Sequence, residues 1–297
     1  MHRRMGFSFL LNKGFSLVEL AIALVIISLV LVLFIGASSG FISSKRNDVT
    51  TVKLKAIETA IALFVAQNKR LPCPADGTIS AGTPLSGVEV PPGGGDCSGN
   101  QINGVVPALT LGMSEADVLD GWNNRITYRV YSGGNGSLTR NTGMDMSWCD
   151  PAGTAGSAFG VNTLCGPNPS CTSANLGLCV TPSQFLTGKG LQIRNAAGSI
   201  LMDSAGGVQG AAYVLISHGD NQEGAFTQNG TLLGPIGPPS GTEEALNHNG
   251  VVLRVPPNYY VDSDYNGSST VSHFDDLVLR PSIISVASKA QLGPRAH

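Results

Sequence analysis

The sequence predicts an α+β fold, in which a long N-terminal helix packs on an antiparallel β-sheet that carries disulfide-tied loop insertions. Three observations predict it. Leu20 to Ile35 is an apolar run with no charge and Ser28 as its only hydroxyl. Beyond it, Val49, Val52, Leu54, Ile57, Ile61, Phe64 and Val65 recur at helical spacing, as on a helix with one buried face. From Leu71 onward the composition shifts to Gly, Pro, Ser, Thr and Asn around short β-like runs, which read as strands between turns.

The first element is the apolar run. Together with Phe15 to Glu19 it reaches the roughly 20 residues that a bilayer-spanning helix needs, so a membrane segment is the first reading. Glu19 stands against that reading, since a carboxylate at membrane depth costs about 2.5 to 3.5 kcal/mol on insertion scales and normally has a partner. Either it snorkels to the headgroup boundary or it has a function.

The residues before the run bear on that choice. "MHRRMGFSFLLNKG" carries Arg3, Arg4 and Lys13, has no acid, and ends on Gly14. A basic leader of this kind stays on the cytoplasmic side. In a secretory signal the small-residue cleavage site follows the apolar core; here Gly14 precedes it, so cutting there would remove the charges and keep the helix.

The helix continues past the membrane segment. Lys45, Arg46, Lys53, Lys55 and Glu58 fall mostly off the apolar stripe, and Pro72 and Pro74 end the pattern. A helix from Phe15 to about Lys69 would be about 80 Å long. Gly36 within it is a mild disturbance, about 1 kcal/mol against roughly 3 for a proline.

In the head, "RITYRVYS", "AAYVLISHG", "GVVLRVP" and "DDLVLRP" are the β-like runs. The first alternates Ile126, Tyr128 and Val130 with Thr127, Arg129 and Tyr131, and an antiparallel sheet on the helix stripe is the economical arrangement. Ala75 to Asn103 and Thr139 to Lys189 read as long loop insertions. Cys73, Cys97, Cys149, Cys165, Cys171 and Cys179 form an even set, which suggests disulfides in an oxidising compartment. Cys73 with Cys97 would close one local loop, and the other four would pair among themselves in an order left open. No pair has the C-x-x-C spacing, which argues against a cysteine zinc site.

Lys13, Gly14, Phe15, Ser16, Leu17, Val18 and Glu19, followed by the apolar run, resemble the class III leader of type IV pilins and of type II secretion pseudopilins. The resemblance implies that a prepilin peptidase cuts between Gly14 and Phe15 and methylates the new amine of Phe15. It also implies that Glu19 pairs with the N-terminal amine of a neighbouring subunit, where opposite charge favours the ionised carboxylate. The implied segments are a leader at 1–14, a transmembrane or filament-core helix at 15–40, an amphipathic half at 41–70 and a pilin-like head at 71–297. The implied partners are other subunits, the peptidase, an inner-membrane assembly platform and the membrane itself. The implied place is the bacterial inner membrane, single-pass with a periplasmic head, and then a pilus or pseudopilus.

Three head segments resemble the pseudopilin pattern more weakly: "RLPCPADG", "LDGWNNRITYRV", and "LISHGDNQEG" with "FDDLVL". Asn123 replaces the glycine that usually follows the tryptophan. The stretch from His218 to Asp275 is longer than in compact major subunits, so a minor subunit is favoured; a tip adhesin-like minor pilin is the alternative. The Trp122 turn reads as a packed corner ordered by Asp120, with ligand recognition as its other reading.

"VDSDYNGSSTVSHFDD" opens like a calcium loop. Asp262, Asp264, Asn266 and Gly267 match D-x-D-x-N-G, but His273 holds the place of the bidentate Glu. Asp275 or Asp276 could supply the missing carboxylate, and some related pseudopilins bind calcium in their closing loops. The same residues also make an ordinary solvated turn. No cofactor is required.

Charge and motifs limit the remaining classes. The first fourteen residues hold three of the 18 Lys and Arg and none of the 20 acids, so the chain from Phe15 carries 15 against 20, a formal charge of −5. Nucleic-acid binding has no electrostatic support at that balance. A membrane-anchored hydrolase could recruit His218 with Asp220, or His248 with Asn249, but no H-E-x-x-H or P-loop is present. The expectation is a structural subunit and not an enzyme.

Overall fold

Ser16 opens the first helix by accepting hydrogen bonds at its Oγ from the amides of Val18 (3.2 Å) and Glu19 (3.3 Å). No proline occurs before Pro72, and the helix, α1, runs Leu17–Asn68. Lys69 then turns the chain out at φ 57°. The computed structural model describes residues 16–132, 138–141, 143–144, 189–203, 210–234, 243–250, 259–267 and 273–292, with 31–40, 98 and 100 in backbone only. Two compact units are present, Met1–Lys45 and Arg46–His297. Among the described residues no helix is long and apolar enough to cross a membrane; residues 31–35 of the apolar run are among those described in backbone only.

In the second unit the strands are β1 (Ala75–Asp76), β2 (Gly104–Val105), β3 (Thr127–Val130), β4 (Gln192–Arg194), β5 (Ile200–Met202), β6 (Tyr213–Ser217), β7 (Tyr259–Val261) and β8 (Leu277–Leu279), followed by the helix α2 (Ile283–Lys289). The main sheet has the order β1-β2-β3-β6-β8, and every pair in it is antiparallel. A smaller sheet, β5-β4-β7, pairs β4 with β7 in parallel. Of the four β-like runs, three contain β3, β6 and β8; residues 251–258, most of "GVVLRVP", lie outside the described residues, as do Cys149, Cys165, Cys171 and Cys179.

The core forms between α1 and one face of the main sheet. Leu54, Ile57, Ile61 and Val65 are buried together with Ile126, Tyr128, Val130, Tyr213 and Leu215. Val49 and Val52 depart from the expected stripe, at 46% and 69% exposed. Thr50 is buried instead, because the turn before β3 presses on the helix at that point. The Gly121 amide donates to Thr50 Oγ1 at 2.8 Å, and a Cβ on Gly121 would stand 2.4 Å from the Arg46 carbonyl oxygen. Only glycine fits there.

The period of two along β6 serves both faces. Tyr213 and Leu215 join the helix-side core, while Val214 and Ile216 pack with Ile193, Met202 and Tyr260 of the smaller sheet. Helix α2 closes the helix-side core with Ile283, Val286 and Ala287. Ser282 caps it by accepting the Ser285 amide at 3.2 Å, and Lys289 reaches Glu58 of α1 at 2.5 Å.

At the exit from α1 the Cys73–Cys97 disulfide forms, with a Cα–Cα separation of 5.8 Å. Beside it Arg70 and Glu89 make a buried two-pronged ion pair, at 2.8 and 2.6 Å. The Glu89 carboxylate also accepts the amides of Cys73 (2.9 Å) and Gly93 (3.2 Å). Removing one member leaves the other charge buried and unpaired, which costs about 3 to 5 kcal/mol. Glu89→Ala should therefore lower the unfolding free energy of the full chain, read from urea denaturation, by that amount while the disulfide stays closed; an unchanged free energy would mean that the pair contributes nothing to stability.

Candidate functional site

At the N-terminal end, Gly14 and Phe15 lie outside the described residues, and Glu19 lies within the first turn of α1. One oxygen of its carboxylate accepts the Ser16 amide at 3.0 Å, while Ser16 Oγ accepts the Glu19 amide. The two residues thus form a reciprocal capping box. The S-x-x-E spacing was legible in the sequence and gives Glu19 a local partner that the membrane reading overlooks. Around it Leu17, Val18, Leu20, Ile22 and Leu24 are all exposed, from 52% to 85%, so this turn offers an apolar surface with one acid at its start.

In the closing segment of the head the predicted calcium residues meet different surroundings. Asp262 Oδ2 accepts Arg280 Nε at 2.5 Å, and Asp264 is exposed. Asn266 exchanges backbone hydrogen bonds with Phe274, at 2.8 and 3.1 Å. Asp275 turns to the Gly219–Asn221 corner, where its Oδ2 accepts the amides of Asp220 (2.7 Å) and Asn221 (2.8 Å). Asp276 Oδ2 accepts the Asn247 amide group at 2.7 Å.

Around Asp276 lies a buried polar network. His218 Nδ1 stands 3.6 Å from Asp276 Oδ1, and its Nε2 is 2.9 Å from Thr127 Oγ1. Thr127 Oγ1 also accepts Asn249 Nδ2 at 2.6 Å, and Arg129 donates to Asn249 Oδ1 at 2.5 Å. His248 meets the Asn249 carbonyl through Nδ1, and burial holds its imidazole below the ordinary range. Thr127, His218 and Asp276 have the connectivity of a hydrolytic triad. They are nonetheless 0%, 1% and 7% exposed, and the threonine oxygen is already engaged, so the arrangement joins strands and has no open face for a substrate. Gly36-Ala37-Ser38-Ser39-Gly40 also spells G-x-S-x-G, but its backbone is helical within α1, not a strand-to-helix elbow.

The Trp122 turn is a corner. Asp120 Oδ1 accepts the amides of Trp122 and Asn124, both at 2.9 Å, and its Oδ2 accepts Ser217 Oγ at 2.7 Å. The Trp122 ring is half-buried and donates Nε1–H to Asp220 at 2.8 Å. Asn123, standing where a glycine was expected, takes φ 71°, a conformation asparagine tolerates better than most residues.

Glu244, in a short 3-10 turn (Glu244–Leu246), faces Asp275, Asp276, His273 and Asn221. Burial, then the two aspartates, push its carboxyl from the ordinary 4.5 up to about 9. The folded protein therefore holds a proton there that the unfolded chain releases. Its contribution to stability is complete below about 4.5 and is lost as pH rises to about 9. Melting of the full chain in chelator should fall across that window, and Glu244→Gln should flatten the decline; a parallel decline in the variant would place the titration elsewhere.

Comparison with known proteins bears on the N-terminal end. No match to the chain is found among curated proteins or among solved structures. Residues 11–35 match the family model described as the prokaryotic N-terminal methylation motif. The chain thus carries the class III prepilin-like leader of type IV pilins and pseudopilins.

Proposed function

We propose that this chain is a structural subunit, and a minor one, of a type IV pilus or a type II secretion pseudopilus. The methylation motif at residues 11–35 carries the reading. In it a prepilin peptidase removes residues 1–14 and methylates Phe15, and the apolar run anchors the subunit once in the inner membrane with the head on the periplasmic side. The anchored subunit then meets its neighbours and the assembly platform through α1. The minor role rests on the long stretch between His218 and Asp275, part of which covers the second face of the sheet through Asn247 and Asn249. Calcium at the Asp262–Gly267 loop belongs to the same proposal, with Asp264 and Asn266 as further ligands and Asp275 or Asp276 supplying the missing carboxylate. There it would compete with Arg280 for Asp262.

Processing is tested at Gly14. A side chain there obstructs the peptidase, so Gly14→Val should leave full-length precursor in the membrane. Mass spectrometry of the parent should find a methylated chain beginning at Phe15; any other start would sink the reading.

Assembly is tested at Glu19, where capping and intersubunit pairing can be separated. Glutamine can complete a capping box as glutamate does, but it carries no charge to pair with an amine. Glu19→Gln and Glu19→Ala should both insert and be cleaved, and both should be missing from filaments or from cross-links to other subunits. Normal incorporation of the glutamine variant would reduce Glu19 to a helix cap.

A further inference from the structure

We infer that Glu244, His273 and Asp275 form a binding site for a divalent transition-metal cation of the zinc class. Each offers one ligand atom, and the three lie within 4.8 Å of one another; tetrahedral zinc holds such atoms roughly 3.3 to 3.6 Å apart, so the site closes on the ion by a side-chain shift of about 1 Å. Glu244 and Asp275 are 2% and 5% exposed. Glu244 Oε2, Asp275 Oδ1 and His273 Nε2 are all buried atoms with no partner outside the cluster: the Glu244 carboxyl is hydrogen-bonded to Asp275, and His273 Nε2 stands 3.5 Å from Asp275 Oδ2. A buried carboxylate oxygen is normally paired or bound to a metal, and a cation held by all three side chains replaces these contacts at once.

The surrounding contacts hold the ligands in position. Glu244 Oε1 accepts Asn221 Nδ2 at 3.0 Å, and Asp275 Oδ2 accepts two backbone amides, so each carboxylate has one oxygen fixed and one spare. Such second contacts orient the ligands of a metal site. An imidazole with two carboxylates is a donor set suited to zinc, whereas calcium takes six to eight oxygens. The His273 side chain is 22% exposed, which leaves a route for the ion and a fourth position for water. Glu244 belongs to the segment between β6 and β7, and the other two ligands belong to the stretch leading into β8. The ion therefore ties the inserted segment to the closing strand, independently of how the subunit assembles.

The experiment uses the full chain in detergent, with disulfides intact and metal stripped by chelator, titrated calorimetrically with zinc chloride and separately with calcium chloride. The parent should bind one zinc per chain, more tightly than calcium, and melt at a higher temperature with it. Glu244→Gln and His273→Gln should each weaken zinc roughly tenfold or more and abolish the rise in melting temperature, whereas Asp264→Ala should leave both unchanged. On the parent itself, zinc should protect His273 from diethyl pyrocarbonate, read by peptide mass, which covers the case of a variant that fails to fold. No zinc binding, zinc binding undiminished in both variants, zinc displaced by equimolar calcium, or unprotected His273 would each overturn the assignment.

Discussion

Arg129 lies in the centre of β3 with no exposed surface, and a guanidinium can stay there only where oxygens surround it. The carbonyls of Ile102 and Gly104 take it at 3.1 and 3.4 Å, and Asn249 Oδ1 at 2.5 Å. One of those acceptors comes from the inserted segment, 120 residues away, so seating the cation and closing that segment over the sheet are one event. Thr127 repeats the arrangement two residues earlier through Asn249 and His218. The outer face of β3 is therefore polar and buried at once.

The opposite face follows ordinary hydrophobic rules. Ile126, Tyr128 and Val130 meet the stripe of α1, and burial of this apolar area is the main favourable term in folding. A strand covered by a helix on one side and by polar side chains on the other has little freedom to slip, since moving β3 by one residue would exchange Arg129 with Tyr128. That rigidity fixes the corner at Asp120 and Trp122 and, beyond β6, the turn that presents Asp220 and Asn221 to Asp275.

The N-terminal end works by a different constraint. Glu19 has one helix cap to complete, and its neighbours are apolar and exposed. A surface of that kind is satisfied by lipid or by other copies of the helix, and Glu19 is the one charged group among residues 16–30.

Much of this was legible in residue order alone. The leader, the long helix, its buried stripe from Leu54 to Val65, the three main strands and the Cys73–Cys97 bridge all follow from local pattern, because helix period, strand alternation and a short disulfide loop are properties of neighbouring residues. A local signal for α2 is present too, in Ser282 followed by Ile283, Val286 and Ala287. Other features were decided only by tertiary contact. Thr50 replaced Val49 and Val52 because Gly121 approaches there. Asp262 went to Arg280, and Asp275 and Asp276 went to the His218 corner and the inserted segment. Arg129 and Thr127, which alternation would place in solvent, were buried because a segment distant in the chain supplies their partners. Period and spacing thus determined the frame of this protein, whereas the partner of each buried charge was decided by the fold, since a charge is satisfied by whatever the chain brings within hydrogen-bond reach.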